Sequence, residues 1–319
     1  MSTKPVSLKG VIVPAITPVN ERDGVDKAAF RKVLRRLVEA GVHGIFVGGS
    51  AGEGPLLADA EWRRMVTIAV EEVDGRIPLL GGAIDTSSAR VCAKVRALRE
   101  YGYRHVVVTP SYYIALKAQS EHLRLFGAAR DAAGDMELVA YNIPGCTAST
   151  IAVDTFCEMA KRRWIRSCKE SSGDLPYLLE LIRRGADAGL SVLAGDEATS
   201  GKALLAGACG IVPVCANYDP ATYLRLYKAG RTGDKTGLAR QMKRATQLKE
   251  ALVLSGPCWL SGIKYAVSAL GIGSGLPVSP LEPADAGRQA RIQALMDADA
   301  LTRRSVLITK REAKEEEKQ

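Results

Sequence analysis

Short apolar runs rich in β-branched residues recur along the chain every 20 to 35 residues or so, at 11–16, 44–47, 78–80, 105–108, 137–140, 164–168, 191–193 and 211–214. Most are continuous rather than alternating, the pattern of strands covered on both faces. Between them lie stretches whose apolar positions repeat with helical period, among them 27–40, 60–73, 87–101 and 153–161. Strands that alternate with helices predict parallel pairing through crossover helices. Eight such units within about 215 residues fit a closed (β/α)8 TIM barrel better than an open doubly wound sheet. The glycine-rich segment Gly48-Gly49-Ser50-Ala51-Gly52 follows a strand but lacks the GxGxxG spacing of a dinucleotide-binding fold.

After residue 214 the pattern becomes helical throughout, at 221–229, 235–253, 258–270 and 283–295, with a break rich in Gly, Ser and Pro at 271–280. This predicts a catalytic barrel over residues 1–232, a C-terminal helical domain over 233–306 and a charged tail over 307–319. The last of these ends in a charged run, 310–319, expected to fray.

A hydrophobic content of 47% and a charged content of 25% suit a folded globular chain. Aromatics are only 5%, so the interior must be built mainly from Val, Ile, Leu and Ala. The net charge of +9 is spread over helical stretches rather than clustered with aromatic residues. That argues for a positive field favouring anionic metabolites and against nucleic acid. The seven cysteines show no CxxC or metal-ligand spacing, and the first ten residues carry no apolar leader. Reduced thiols in a cytoplasmic setting are therefore expected. No run approaches the roughly 18 apolar residues of a membrane span. His43, His105 and His122 stand apart, so no histidine-rich metal centre is expected.

In such barrels the reacting groups lie at the carboxyl ends of the strands. The second strand runs into Val47-Gly48-Gly49-Ser50-Ala51-Gly52-Glu53-Gly54. Its glycines would let backbone N–H groups approach a carboxylate, with the Ser50 hydroxyl available for proton relay; the plainer possibility is a tight turn with no ligand. The fourth strand ends at Thr109-Pro110-Ser111-Tyr112-Tyr113 and the fifth at Tyr141-Asn142-Ile143-Pro144-Gly145. These phenols either move protons or merely pack the barrel mouth. The sixth strand ends at Lys169, followed by Glu170-Ser171-Ser172-Gly173-Asp174. Alternation points Lys169 into the mouth. An apolar barrel disfavours its charged form, so the amine becomes a nucleophile able to condense with a ketone. The alternative is a structural lysine whose charge must be paired. Asp196, after the seventh strand, is expected to cap the next helix, and Val212 to contribute an apolar wall beside Lys169.

Taken in order, Gly49-Ser50-Ala51-Gly52-Glu53, Pro110-Ser111-Tyr112-Tyr113, Tyr141-Asn142-Ile143-Pro144 and Lys169-Glu170-Ser171-Ser172-Gly173-Asp174 resemble the motifs of the dihydrodipicolinate synthase / N-acetylneuraminate lyase family. The likeness runs from about residue 8 to 306 and includes Pro257, Lys264-Tyr265-Ala266 and Leu276-Pro277-Val278-Ser279-Pro280-Leu281. The resemblance implies that Lys169 is the Schiff-base lysine, Tyr141 the proton shuttle and Ser50 the hydroxyl linking Tyr141 to a second tyrosine. Tyr112, followed directly by Tyr113, is similar to the tyrosine reached from a neighbouring subunit. Gly49, Ser50 and Ala51 match the segment that binds a keto acid's carboxylate. The family pattern further implies a homotetramer, pyruvate as the keto acid, an aldehyde as second substrate, and neither cofactor nor metal.

Two departures bear on the substrate. Cys146 stands where a true dihydrodipicolinate synthase carries an arginine that grips its aldehyde partner's carboxylate, and a thiol cannot replace a bidentate guanidinium. Ala51 replaces a threonine common in the carboxylate site. The family's feedback-lysine pocket is also expected to be absent, since 82–88 lacks the acidic residue at its end and 57–62 offers no histidine. The expectation is a pyruvate-dependent aldolase that cleaves or forms a 2-keto-3-deoxy sugar acid or similar 4-hydroxy-2-keto acid. The alternatives are 4-hydroxy-tetrahydrodipicolinate synthase with another anchor for its aldehyde, a keto-deoxy acid dehydratase, or a catalytically silent keto-acid binding protein.

Overall fold

The computed structural model describes residues 8–299; the charged run at 310–319 lies outside them. Eight parallel strands close into a barrel in sequence order, the first pairing with the eighth. They are β1 (Gly10–Pro14), β2 (Gly44–Val47), β3 (Leu79–Gly82), β4 (His105–Val108), β5 (Glu137–Asn142), β6 (Ile165–Glu170), β7 (Ser191–Ala194) and β8 (Gly210–Ile211). The helices between them are α1 (Lys27–Glu39), α2 (Asp59–Val73), α3 (Ser88–Glu100), α4 (Gln119–Ala133), α5 (Pro144–Thr147), α6 (Val153–Lys161), α7 (Leu175–Asp187) and α8 (Ser200–Leu205). Beyond β8 the described chain is helical: α9 (Pro220–Thr232), α10 (Lys235–Lys249), α11 (Trp259–Ser268) and α12 (286–299).

Two apolar layers form, because alternate residues of each strand face opposite ways. Ile12, Phe46, Leu80, Val107, Val139, Tyr141 and Leu193 fill the barrel interior, with Val212 at its upper edge. The residues between them, such as Val11, Ile45, Val106, Leu138, Cys168 and Val192, pack outward on the helices. This double cover is why the strands read as unbroken apolar runs. Sharp N-caps start several helices: Asp26, Ser87, Asp174, Asp219 and Asp234 each accept a backbone N–H from the first turn.

The sequence expectation differs from the structure at three places. The last strand is a two-residue piece, and 214–217 is a 3-10 turn instead of its continuation, since Asn217 draws the chain aside by donating to the carbonyls of Pro14 and Val214 at 2.9 Å each. The segment 235–253 is interrupted by a π-helical turn, Glu250–Leu254. Asp196 does not cap α8; it accepts from Ala198 N–H at 2.7 Å and pairs with Lys249 of α10 at 2.9 Å. No described helix is long and apolar enough to cross a membrane.

Candidate active site

Lys169 lies in β6, where Ser167 and Lys169 face the interior while Cys168 packs outward and Glu170 turns to Asn142 and the Ser172 amide. Its side chain is only 6% exposed. The Nζ sits over two aromatic faces, 4.0 Å from the Tyr141 ring centroid and 5.3 Å from that of Phe46. No carboxylate pairs with it: among the described ion pairs, Lys264 is the buried lysine that has one. Burial therefore lowers the Lys169 ammonium to about 7, with the Cys146 thiol nearby acting weakly the other way. Among the described residues no carboxylate lies within ion-pair distance of Lys169.

Tyr141 is the register neighbour of Lys169 across the β5–β6 ladder. Burial pushes its phenol up, while the hydroxyls of Ser171 and Ser50 beside it pull the other way. Phe46 meets its ring edge-on, with centroids 6.2 Å apart. The loop after β2 bends back over this pair. Gly48 adopts φ +67°, which an L side chain resists, and a Cβ on Gly49 would strike the Phe46 ring. Gly49, Ser50 and Ala51 thus approach the same mouth as Tyr141. Gly54 N–H returns to the Gly49 carbonyl at 3.2 Å, closing the turn.

Cys146 lies on the short α5 and is exposed. Enough protein surrounds its sulfur to push the thiol up, partly offset by Ser50 and by Lys169. It stands close to the amine and brings no charge to the rim. Val212 is buried, and its N–H continues the ladder to the Ala194 carbonyl at 2.8 Å. Tyr112 is half-buried against the interior cluster, where burial and the Asp85 carboxylate raise its phenol and Arg90 opposes them. Tyr113 behaves differently: it is 93% exposed at φ +76°, an unfavourable conformation for a tyrosine. Desolvation opposes ionisation of Asp85, but Arg90, the Thr86 amide and Lys94 together hold its carboxyl at about 2. Among the described residues no three His, Cys, Asp or Glu side chains group so as to hold a metal ion.

Two site residues were not singled out from the sequence. Gly195 continues β7, and a Cβ there would collide with Ser171 Oγ and come within 2.8 Å of Lys169 Cε. Ser171 is half-buried, but its Oγ is buried and has no hydrogen-bond partner of ordinary geometry among the described residues. The Ser171 signal was present in the Lys169–Asp174 motif. For Gly195 a lone glycine after a strand carries no such signal, because its partner comes from β6.

The comparisons agree with the barrel fold and place the chain in a family. A family model described as the dihydrodipicolinate synthetase family matches residues 7–299. A 4-hydroxy-tetrahydrodipicolinate synthase of Methanothermobacter thermautotrophicus is 33% identical over 270 residues, covering 83% of this chain and 94% of that protein. An uncharacterized DapA-like lyase of Halobacterium salinarum is 31% identical over 295 residues, covering 92% and 94%. Among solved structures, dihydrodipicolinate synthase from Bacteroides thetaiotaomicron superposes with a TM-score of 0.86 at 27% identity, covering 92% of this chain and 99% of that one. YagE of Escherichia coli K12, solved in complex with pyruvate, gives 0.85 at 25% identity over 92% and 99%. With a match over nearly the whole described chain, the protein belongs to the dihydrodipicolinate synthetase family and is a lyase of that family.

Proposed function

We propose that the protein is a pyruvate-dependent aldolase acting on a 2-keto-3-deoxy sugar acid or a similar 4-hydroxy-2-keto acid. The observation that carries this reading is the amine of Lys169, buried with no ion-pair partner among the described residues and about half neutral near pH 7, in contact with the Tyr141 ring.

The neutral amine adds to the C2 ketone. Tyr141, kept protonated by burial, gives its proton to the carbinolamine oxygen, which leaves as water as the iminium forms. The phenolate so produced is the base that takes the C4 hydroxyl proton. The C3–C4 bond then breaks, the aldehyde departs and the electron pair rests in the enamine. Proton return to C3 and hydrolysis release pyruvate and the amine. Ser50 and Ser171, flanking the phenol, stabilise the phenolate between these steps. The amides of Gly49, Ser50 and Ala51 hold the keto acid's carboxylate, and Val212 lines the apolar side. No cofactor is required for this sequence, since the iminium itself is the electron sink.

The homotetramer implied by the family pattern gives the phenol after β4 its role, by delivery to a neighbouring copy. A residue delivered in this way has to project from its own subunit. Tyr113 does so and Tyr112 packs inward, so we assign the cross-subunit role expected of Tyr112 to Tyr113. A cytoplasmic setting fits the seven unbridged cysteines.

Borohydride trapping with pyruvate, read by mass spectrometry, tests the lysine. An adduct on Lys169 is expected, and its absence would remove the reading. Product analysis across keto-deoxy acids then separates cleavage from dehydration. The name of the Methanothermobacter relative favours a second reading, 4-hydroxy-tetrahydrodipicolinate synthase. Cys146 speaks against it, because an acidic aldehyde would meet no cation at that position.

A further inference from the structure

The turn that carries Gly49, Ser50 and Ala51 is fixed from behind by a buried charge pair that the chemistry above does not use. Glu53 ends this turn at φ +54° and is 1% exposed; Lys264, on α11, is 2% exposed. The two side chains are ion-paired through Glu53 Oε2, while Glu53 Oε1 accepts the Val278 N–H at 2.7 Å. These partners lie 211 and 225 residues along the chain. Glu53 N–H donates to the Ser50 carbonyl at 3.2 Å, and the Thr17 hydroxyl donates to the Gly52 carbonyl at 2.8 Å. The Glu53 carboxylate, the turn and its three amides therefore move as one body.

A pair this deeply buried is a poor source of net stability compared with apolar side chains of the same volume. What it does supply is a single position for the groups it holds. We infer that Glu53, clamped by Lys264 and by the Val278 amide, is a positioning residue that sets the 49–51 amides at the height where a keto acid's carboxylate binds. The C-terminal helical region thereby tunes affinity for carboxylate-bearing ketones from outside the barrel. This rests on the Schiff-base reading of Lys169 and on the carboxylate cradle described above.

The test is borohydride trapping across a range of pyruvate concentrations, with the wild type, Glu53→Gln and the charge-free double variant Glu53→Gln/Lys264→Met. Thermal midpoints are recorded alongside. The expected result is a rise of about tenfold or more in the pyruvate concentration giving half-maximal labelling. Labelling at saturation should stay within about threefold, and the acid-side midpoint of labelling near pH 7 should be unchanged. Should Glu53→Gln alone fail to fold because Lys264 is left uncompensated, the double variant carries the comparison. A double variant that regains both wild-type stability and wild-type half-saturation would show a purely structural pair and overturn the inference. So would a parallel fall in saturating labelling and affinity. A wild type that never labels with pyruvate removes the Schiff-base reading and this inference together, whereas a labelled wild type with unaltered variants removes the inference alone.

Discussion

Lys169 and Tyr141 are register partners on adjacent strands, and the amine lies 4.0 Å from the centre of the phenol ring. Neighbouring inward residues of a parallel barrel are brought together in this way wherever two strands end level, so the phenol and the amine are placed by the sheet itself.

Adduct formation at limiting pyruvate should rise with pH around about 7, the value to which burial lowers Lys169, and level off above it. A free lysine would level off only near 10.4. Labelling that climbed steadily to pH 10 would contradict the neutral amine.

The same burial predicts a stability effect. The folded value lies below the unfolded one, so between about pH 7 and 10.5 the unfolded chain binds more protons and stability rises with pH. Below pH 7 the full cost is present. Lys169→Met should therefore stabilise the fold at pH 6, by on the order of 4 kcal/mol, and the gain should shrink towards pH 10. Thermal midpoints at the two pH values check this, and Lys169→Met should give no adduct at all.

Tyr141→Phe keeps the ring over the amine and removes the proton donor. Turnover should fall by about 10² to 10⁴, with the Lys169 adduct still detectable on long incubation. Undiminished turnover in this variant would assign proton transfer elsewhere.

Of the two phenols after β4, Tyr113→Phe should lower turnover by about 10² or more, the range for a proton-transfer group, while Tyr112→Phe should change it less than threefold. The reverse order would return the role to Tyr112. Sedimentation of the wild type at working concentration should give a species larger than one chain.

Gly195→Ala places a methyl group against Ser171 Oγ and Lys169 Cε. Overpacking of this kind costs about 1–3 kcal/mol. The thermal midpoint should drop, and trapping should fall more than stability alone explains, because the amine itself is displaced.

Cys146→Arg adds a guanidinium at the rim beside the amine. Charge-assisted hydrogen bonds contribute about 1.5–3 kcal/mol, so half-saturation by an aldehyde bearing a carboxylate should improve about tenfold or more. A neutral aldehyde should show no such gain. Equal response to both would mean that position 146 does not face the second substrate.

Much of this was legible beforehand, for a local reason. A strand buried on both faces must be apolar throughout, so the runs at 44–47, 105–108 and 191–193 coincide closely with β2, β4 and β7. The eighth strand was misjudged because Pro213 and Val214 are as apolar as any strand, while the turn that follows is held by the Asn217 side chain, bonded across to β1, and by Glu197, which accepts the Cys215 N–H. Asp196 was misjudged for the same kind of reason: its partner, Lys249, lies 53 residues away.

The sequence by itself determined the alternating βα order, the inward direction of Lys169 and the order of motifs around it. These follow from period-two alternation and from residue chemistry along a few neighbouring positions. Only the closed barrel decided that this amine is desolvated, that Gly195 and Phe46 crowd it, that Tyr113 projects while Tyr112 does not, and that Lys264 reaches Glu53. Desolvation and long-range pairing depend on which strands and helices come to surround a group, and that arrangement exists only once the eighth strand meets the first.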